Sequence, residues 1–130
     1  MARPRHEKPT PAELEVLQVI WQQGPSTVRE VMNILNKHRP RAYTSVMSLM
    51  ETMAKKGQLG QKRRGRAFVY SAKLSRRKAL SDMVKDLVSR AFDGSASSLV
   101  AHLLEHSTPD DDELAEIRKV IAEFSKKGGA

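Results

Sequence analysis

The sequence predicts a mainly α fold interrupted by one small β-hairpin, and three observations predict it. Between Thr10 and Lys56, three successive segments carry apolar residues at helical spacing, which gathers them on one face of each helix. From Gln58 to Ala72 the pattern changes to period two, with Phe68, Tyr70 and Ala72 on one side, as a half-buried strand pair requires. Beyond Leu74 everything reads helical again.

Each element carries its own local signals. Thr10-Pro11-Ala12-Glu13 supplies a capping hydroxyl, a proline suited to the first turn and a glutamate three residues after the cap. Leu14, Leu17, Val19, Ile20 and Trp21 form the buried stripe of this first helix, and Gly24-Pro25 stops it. Thr27 and Glu30 repeat the capping-box pattern ahead of Val28, Val31, Met32, Ile34 and Leu35. His38 and Pro40 close that second helix, and the proline forces the chain to leave at a new angle.

In the third helix Val46, Leu49, Met50 and Met53 fall at i, i+3, i+4 and i+7 and point to the core. The opposite face then carries Arg41, Thr44, Ser48, Glu51 and Lys55, flanked by Tyr43 and Ser45. Short hydroxyl side chains and long cations allow close approach to base edges and phosphates. Arg64-Gly65 is expected to turn the hairpin that follows, whose tip holds Lys62, Arg63, Arg64 and Arg66. Three helices and a hairpin make a winged helix-turn-helix. The recognition-helix candidates are Arg41, Tyr43, Thr44, Ser45, Ser48 and Lys55, with Tyr43 either against a DNA sugar or phosphate or packed at the helix start. The wing candidates are Lys62, Arg63, Arg64 and Arg66, which suit phosphate or minor-groove contact.

Three helices are expected in the remainder. Leu80, Met83, Val84, Leu87, Val88 and Ala91 stripe the first, which is interrupted at Asp93-Gly94; a shorter one runs through Ser98 to Leu104. Thr108 is the expected cap of a last helix from about Asp110 to Phe124. Domains this small bury only about 60% of their unfolded-chain surface, and a second copy would cover what three short helices leave bare. The expected dimer interface is Leu80, Val84, Leu87, Phe92, Leu99, Leu103, Leu114, Ile117, Ile121 and Phe124. The organisation is thus a mobile basic arm over 1–9, in which Arg3 and Arg5 are candidate DNA contacts, a winged helix over 10–73 and a helical dimerisation domain over 74–130.

Charge supports this division. The formal net charge is +8, but residues 1–73 hold fourteen Lys and Arg against five Asp and Glu, whereas residues 74–130 hold nine against ten. All the excess positive charge lies with the proposed reader of a polyanion. The chain has no cysteine, so disulfides and thiolate metal sites are excluded. No apolar run approaches the roughly 18–20 residues that span a bilayer, and no signal-peptide core opens the chain, so no membrane insertion is expected and a cytoplasmic location is.

His102-Leu103-Leu104-Glu105-His106 matches the H-x-x-E-H pattern of inverted zinc peptidases. Two histidines at i, i+4 share a helix face, but a third ligand and a cleft are missing from the pattern. A partly exposed helix face is the better reading, and Met47, Met50 and Met53 are better explained by core packing than by soft-metal binding. There is no Gly-rich phosphate loop, no nucleophile elbow and no acid pair with a plausible cleft. No enzyme activity, cofactor or metal is expected.

Several of these pieces, in this order, resemble the penicillinase repressor (BlaI/MecI/CopY) family of bacterial transcriptional regulators. They are Pro11-Ala12-Glu13-Leu14-Glu15, Tyr43-Thr44-Ser45-Val46-Met47-Ser48-Leu49, Lys55-Lys56-Gly57, Arg64-Gly65-Arg66-Ala67-Phe68-Val69-Tyr70 and Phe92-Asp93-Gly94-Ser95. The resemblance implies a homodimeric repressor on an inverted-repeat operator of double-stranded DNA, released by proteolysis or another signal. In better-known members a membrane sensor metalloprotease triggers cleavage within the dimerisation domain. The family's scissile Asn-Phe pair falls at His102-Leu103 here, an altered cleavage position, and the cysteine pair of its copper-responsive branch is absent. An architectural DNA-binding protein of low sequence specificity is the alternative, and a zinc peptidase using His102, Glu105 and His106 the remote one.

Overall fold

The computed structural model describes residues 8–128, in the order α1 (Pro11–Gln23), α2 (Val28–Leu35), α3 (Tyr43–Lys55), β1 (Leu59–Arg64), β2 (Ala67–Ala72), α4 (Arg76–Ala91), α5 (Ala96–Ser107) and α6 (Asp111–Gly128). Most of the expected arm, including Arg3 and Arg5, lies outside the described residues. The chain divides after Lys85 into two compact units.

The helix starts follow from their caps. Thr10 and Thr27 each accept a hydrogen bond from the backbone N–H three residues on, while Glu13 and Glu30 accept from the caps' own N–H groups. Both capping boxes close as their spacing predicts. The turn between α2 and α3 is pinned by a residue the sequence did not single out: Asn36 Oδ1 accepts from the Arg41 N–H at 2.8 Å.

In the first unit Val16, Leu17, Val31, Met50 and Met53 are fully buried, with Ile20, Val46, Leu59 and Tyr70 packed among them. Val16 was missing from the expected stripe. Leu49 lies at the margin of this core, whereas Val46, Met50 and Met53 are inside it. Two long-range ties hold the hairpin to the helices. Ser26 and Tyr70 exchange backbone hydrogen bonds of 2.8 and 2.9 Å, and Trp21 Nε1 donates to the Leu74 carbonyl at 2.9 Å.

The hairpin pairs Leu59 with Ala72 through Arg64 with Ala67. Its two-residue turn is Gly65-Arg66, one position later than the expected Arg64-Gly65. Gly65 takes φ +62 at the first turn position, the II′ geometry that matches strand twist and that a side chain would strain.

The stretch from the middle of α4 onward is different in kind. No described residue after Ala79 is buried. Of the expected interface, Leu80, Phe92, Leu99, Leu114 and Ile117 are partly covered, while Val84, Leu87, Leu103, Ile121 and Phe124 are exposed, Phe124 to 74%. The expected cap of the last helix is corrected. Thr108 ends α5 in the left-handed conformation, and Asp110 Oδ1 accepts from the Glu113 N–H at 2.8 Å to cap α6. Pro109 separates the two roles, and the Asp110/Glu113 spacing was the signal overlooked.

Candidate nucleic-acid interface

Helix α3 shows solvent the face that its phase requires. Val46, Met50 and Met53 are spent on the core, so Thr44, Ser45, Ser48, Glu51 and Lys55 are exposed, and Tyr43 is 39% exposed at the first turn. Hydroxyls near the start and a lysine near the end of an exposed helical face form a surface narrow enough for a major groove.

Arg41 departs from this face. Its side chain is only 13% exposed, and Nη2 is 3.0 Å from Glu15 Oε1 on α1. The cause is the turn fixed by Asn36, which sets Arg41 before the helix begins rather than on its outer side. Arg39 approaches the same carboxylate at 3.7 Å.

A second carboxylate holds the other end of α3. Glu13 is 3% exposed, and its oxygens accept from Thr10 N, from Lys56 Nζ at 2.8 Å and from Gln58 Nε2 at 3.3 Å. Burial pushes its pKa up, but the hydrogen bonds from Lys56, the Thr10 backbone and Gln58, with the lysine's charge, outweigh that and leave it below the usual carboxylate value. One side chain thus joins the start of α1, the end of α3 and the approach to the hairpin. The sequence revealed Glu13 only as half of a capping box. Its second role had no local signal, because Lys56 and Gln58 are more than forty residues away.

Register divides the wing's cations between two faces. Paired residues on an antiparallel ladder point to the same side, so Arg63 lies with Phe68, whereas Lys62 and Arg64 lie with Val69 and Ala67. Val69 is 9% exposed although it is on the side opposite Tyr70, and it lines a hollow of about 450 Å3 with Pro25, Lys62, Arg64 and also Arg63, which reaches it although its register position is on the Phe68 side. The expectation that only the Phe68, Tyr70 and Ala72 side is covered is therefore incomplete. Phe68 itself is 40% exposed, and Arg63 Cζ sits 5.0 Å from its ring centroid. Arg66 occupies the turn, the farthest point of the hairpin.

His102 and His106 stack with ring centroids 4.2 Å apart on α5, and Phe92 meets His102 edge-on at 5.7 Å. No group of three or more metal-ligating side chains occurs among the described residues. No helix among them is long and apolar enough to cross a membrane.

Three helices closed by a two-stranded cationic wing define the class: a winged-helix DNA-binding module. The family model described as "Penicillinase repressor" matches residues 9–123. The chain belongs to the penicillinase repressor (BlaI/MecI) family. It is 26% identical over 116 residues to the penicillinase repressor of Bacillus licheniformis, covering 89% of this chain and 91% of that protein. It is 30% identical over 119 residues to the transcriptional regulator BlaI of Mycobacterium tuberculosis, covering 90% of this chain and 85% of that one. Among solved structures it is similar to the monomeric form of Bacillus licheniformis BlaI in complex with the blaP half-operator, at 29% identity and a TM-score of 0.46 over 58% of this chain and 88% of that one.

Proposed function

We propose that this repressor acts as a homodimer on an inverted-repeat DNA operator, each α3 entering the major groove of one half-site while the wing grips the flanking backbone. The observation that carries the reading is the exposed Thr44, Ser45, Ser48 and Lys55 face beside the cationic hairpin. Thr44, Ser45 and Ser48 are the proposed base-reading residues, Tyr43 and Lys55 flank them, and Lys62, Arg63, Arg64 and Arg66 supply phosphate contact. Arg41, held by Glu15, is left to position α3 rather than to touch DNA.

Dimerisation is assigned to the second unit because its helices bury nothing of their own. Leu87, Leu103, Ile121 and Phe124 are all at least 45% exposed, and apolar surface of this extent is expected to meet a partner. Two-fold symmetry would set the half-sites about one helical turn, or a multiple, apart.

The test is a comparison of affinity for the palindromic promoter fragment with affinity for random duplex at one salt concentration. Specific binding by a dimer predicts a ratio of about 10^3 or more. A ratio near one would instead make the chain an architectural DNA-binding protein.

A further inference from the structure

The N-terminus of α2, the face of α3 and the wing enclose a groove of about 410 Å3 within the first unit. Met47 and Val28 give it an apolar floor, while Tyr43 and Phe68 stand at its sides. Each ring carries an arginine: Arg29 Cζ lies 4.9 Å from the Tyr43 centroid, and Arg63 Cζ 5.0 Å from that of Phe68. A guanidinium laid on a ring uses its flat face for the stacking and keeps its N–H edge for an anion. Each pair therefore presents an apolar surface and a fork of donors side by side.

That pattern matches one ligand chemistry. A DNA strand alternates an apolar-faced deoxyribose with an anionic phosphate, and hydrogen bonds to sugar and phosphate position a protein without reading sequence. The groove's charge is complementary: Arg29 and Arg66 line it, against the single carboxylate of Glu51. Glu51 lies on the α3 side and repels phosphate there, which leaves the arginine-bearing sides to receive it.

We propose that this groove holds the sugar–phosphate backbone of one DNA strand. Tyr43 and Phe68 pack against deoxyriboses, and Arg29 and Arg66 take the flanking phosphates. Arg29, which comes from α2 and stands outside both the recognition helix and the wing, is then a phosphate contact and also the positioning residue for Tyr43. The inference rests on the DNA-binding reading above, and it adds a second, sequence-independent foothold to it.

The experiment measures binding of the full-length protein to a random-sequence duplex across a salt series, for the native chain, Arg29→Gln, Tyr43→Ala, Tyr43→Phe and the Arg29→Gln/Tyr43→Ala double variant. Both side chains are exposed, so each variant should melt like the native protein. Arg29→Gln is expected to weaken binding several-fold and to make the log–log salt slope shallower by about 0.9 per protomer, the value for one phosphate lost. Tyr43→Ala should weaken binding, and Tyr43→Phe should recover most of that loss. The double variant should lose less than the product of the single losses, because the arginine depends on the ring. An unchanged slope with Arg29→Gln, while the native chain still binds, overturns the phosphate contact. Multiplicative losses overturn the positioning role. If the native chain binds no duplex at all, the DNA-binding reading falls and this inference with it.

Discussion

The residues up to Lys85 and those after it use apolar side chains in opposite ways. In the first unit Val16, Leu17, Val31, Met50 and Met53 reach zero exposure, and the buried Glu13 carboxylate is hydrogen-bonded to Lys56 and Gln58 in the same unit. In the second, α5 and α6 bury no residue at all, and Phe124 stays 74% exposed. Both regions show clear helical periodicity, so periodicity alone does not tell a closed core from an open face. What separates them is chain economy. Three helices and a hairpin can surround a centre, whereas helices in series with no sheet to close them have only another surface to pack against.

Side-chain truncation sharpens the contrast most strongly. Leu17→Ala or Met50→Ala, both at fully buried positions, should cost about 2–5 kcal/mol, read as a loss of unfolding free energy that does not depend on protein concentration. Ile121→Asp, at a position 54% exposed, should leave that first-unit transition in place and lower the dimer fraction instead. A variant at Ile121 that unfolds the first unit without changing association would break the comparison.

A smaller effect tests the junction inside the first unit. Glu13→Gln should cost about 1–3 kcal/mol at neutral pH, the range for lost hydrogen bonds to a charged group. The folded-state pKa of Glu13 is lowered. Its stabilisation is therefore fully present above the unfolded value, near pH 4.3, and is lost as pH falls through the folded one. Denaturant titrations of the two proteins should accordingly converge in acid. A gap that widens there would contradict the ion pair with Lys56.

The smallest expected effect separates the two faces of the wing. Lys62→Gln and Arg64→Gln remove charge on the Val69 side, and Arg63→Gln removes it on the Phe68 side. Salt slopes on random duplex should become shallower by about 0.9 for each cation that touches a phosphate. The Arg63 change should differ from the other two, since that residue alone of the three stacks on Phe68. Equal null effects for all three would remove β1 from the interface.

Much of this was legible because it is local. The two capping boxes at Thr10 and Thr27, the break near Pro40, the buried phase of Val46, Met50 and Met53, and the period-two hairpin depend on residues within a few positions of one another. The sequence reading failed where distance mattered. Arg41 looked like an outer-face cation because Glu15 is twenty-six residues away, and Glu13 looked like a cap because Lys56 is forty-three away. Arg29 carried no signal until α2 was set beside Tyr43. Thr108 and Asp110 both precede an apolar run, and only backbone geometry distinguishes a left-handed helix end from a helix start.

The contrast between the two regions is tested most directly by sedimentation equilibrium on the full chain and on a fragment ending at Lys85, with circular dichroism to follow folding. The account predicts a dimeric full chain and a fragment that is folded but monomeric. A fragment that dimerises as tightly as the full chain, or a full chain that stays monomeric at concentrations where it binds DNA, would contradict it.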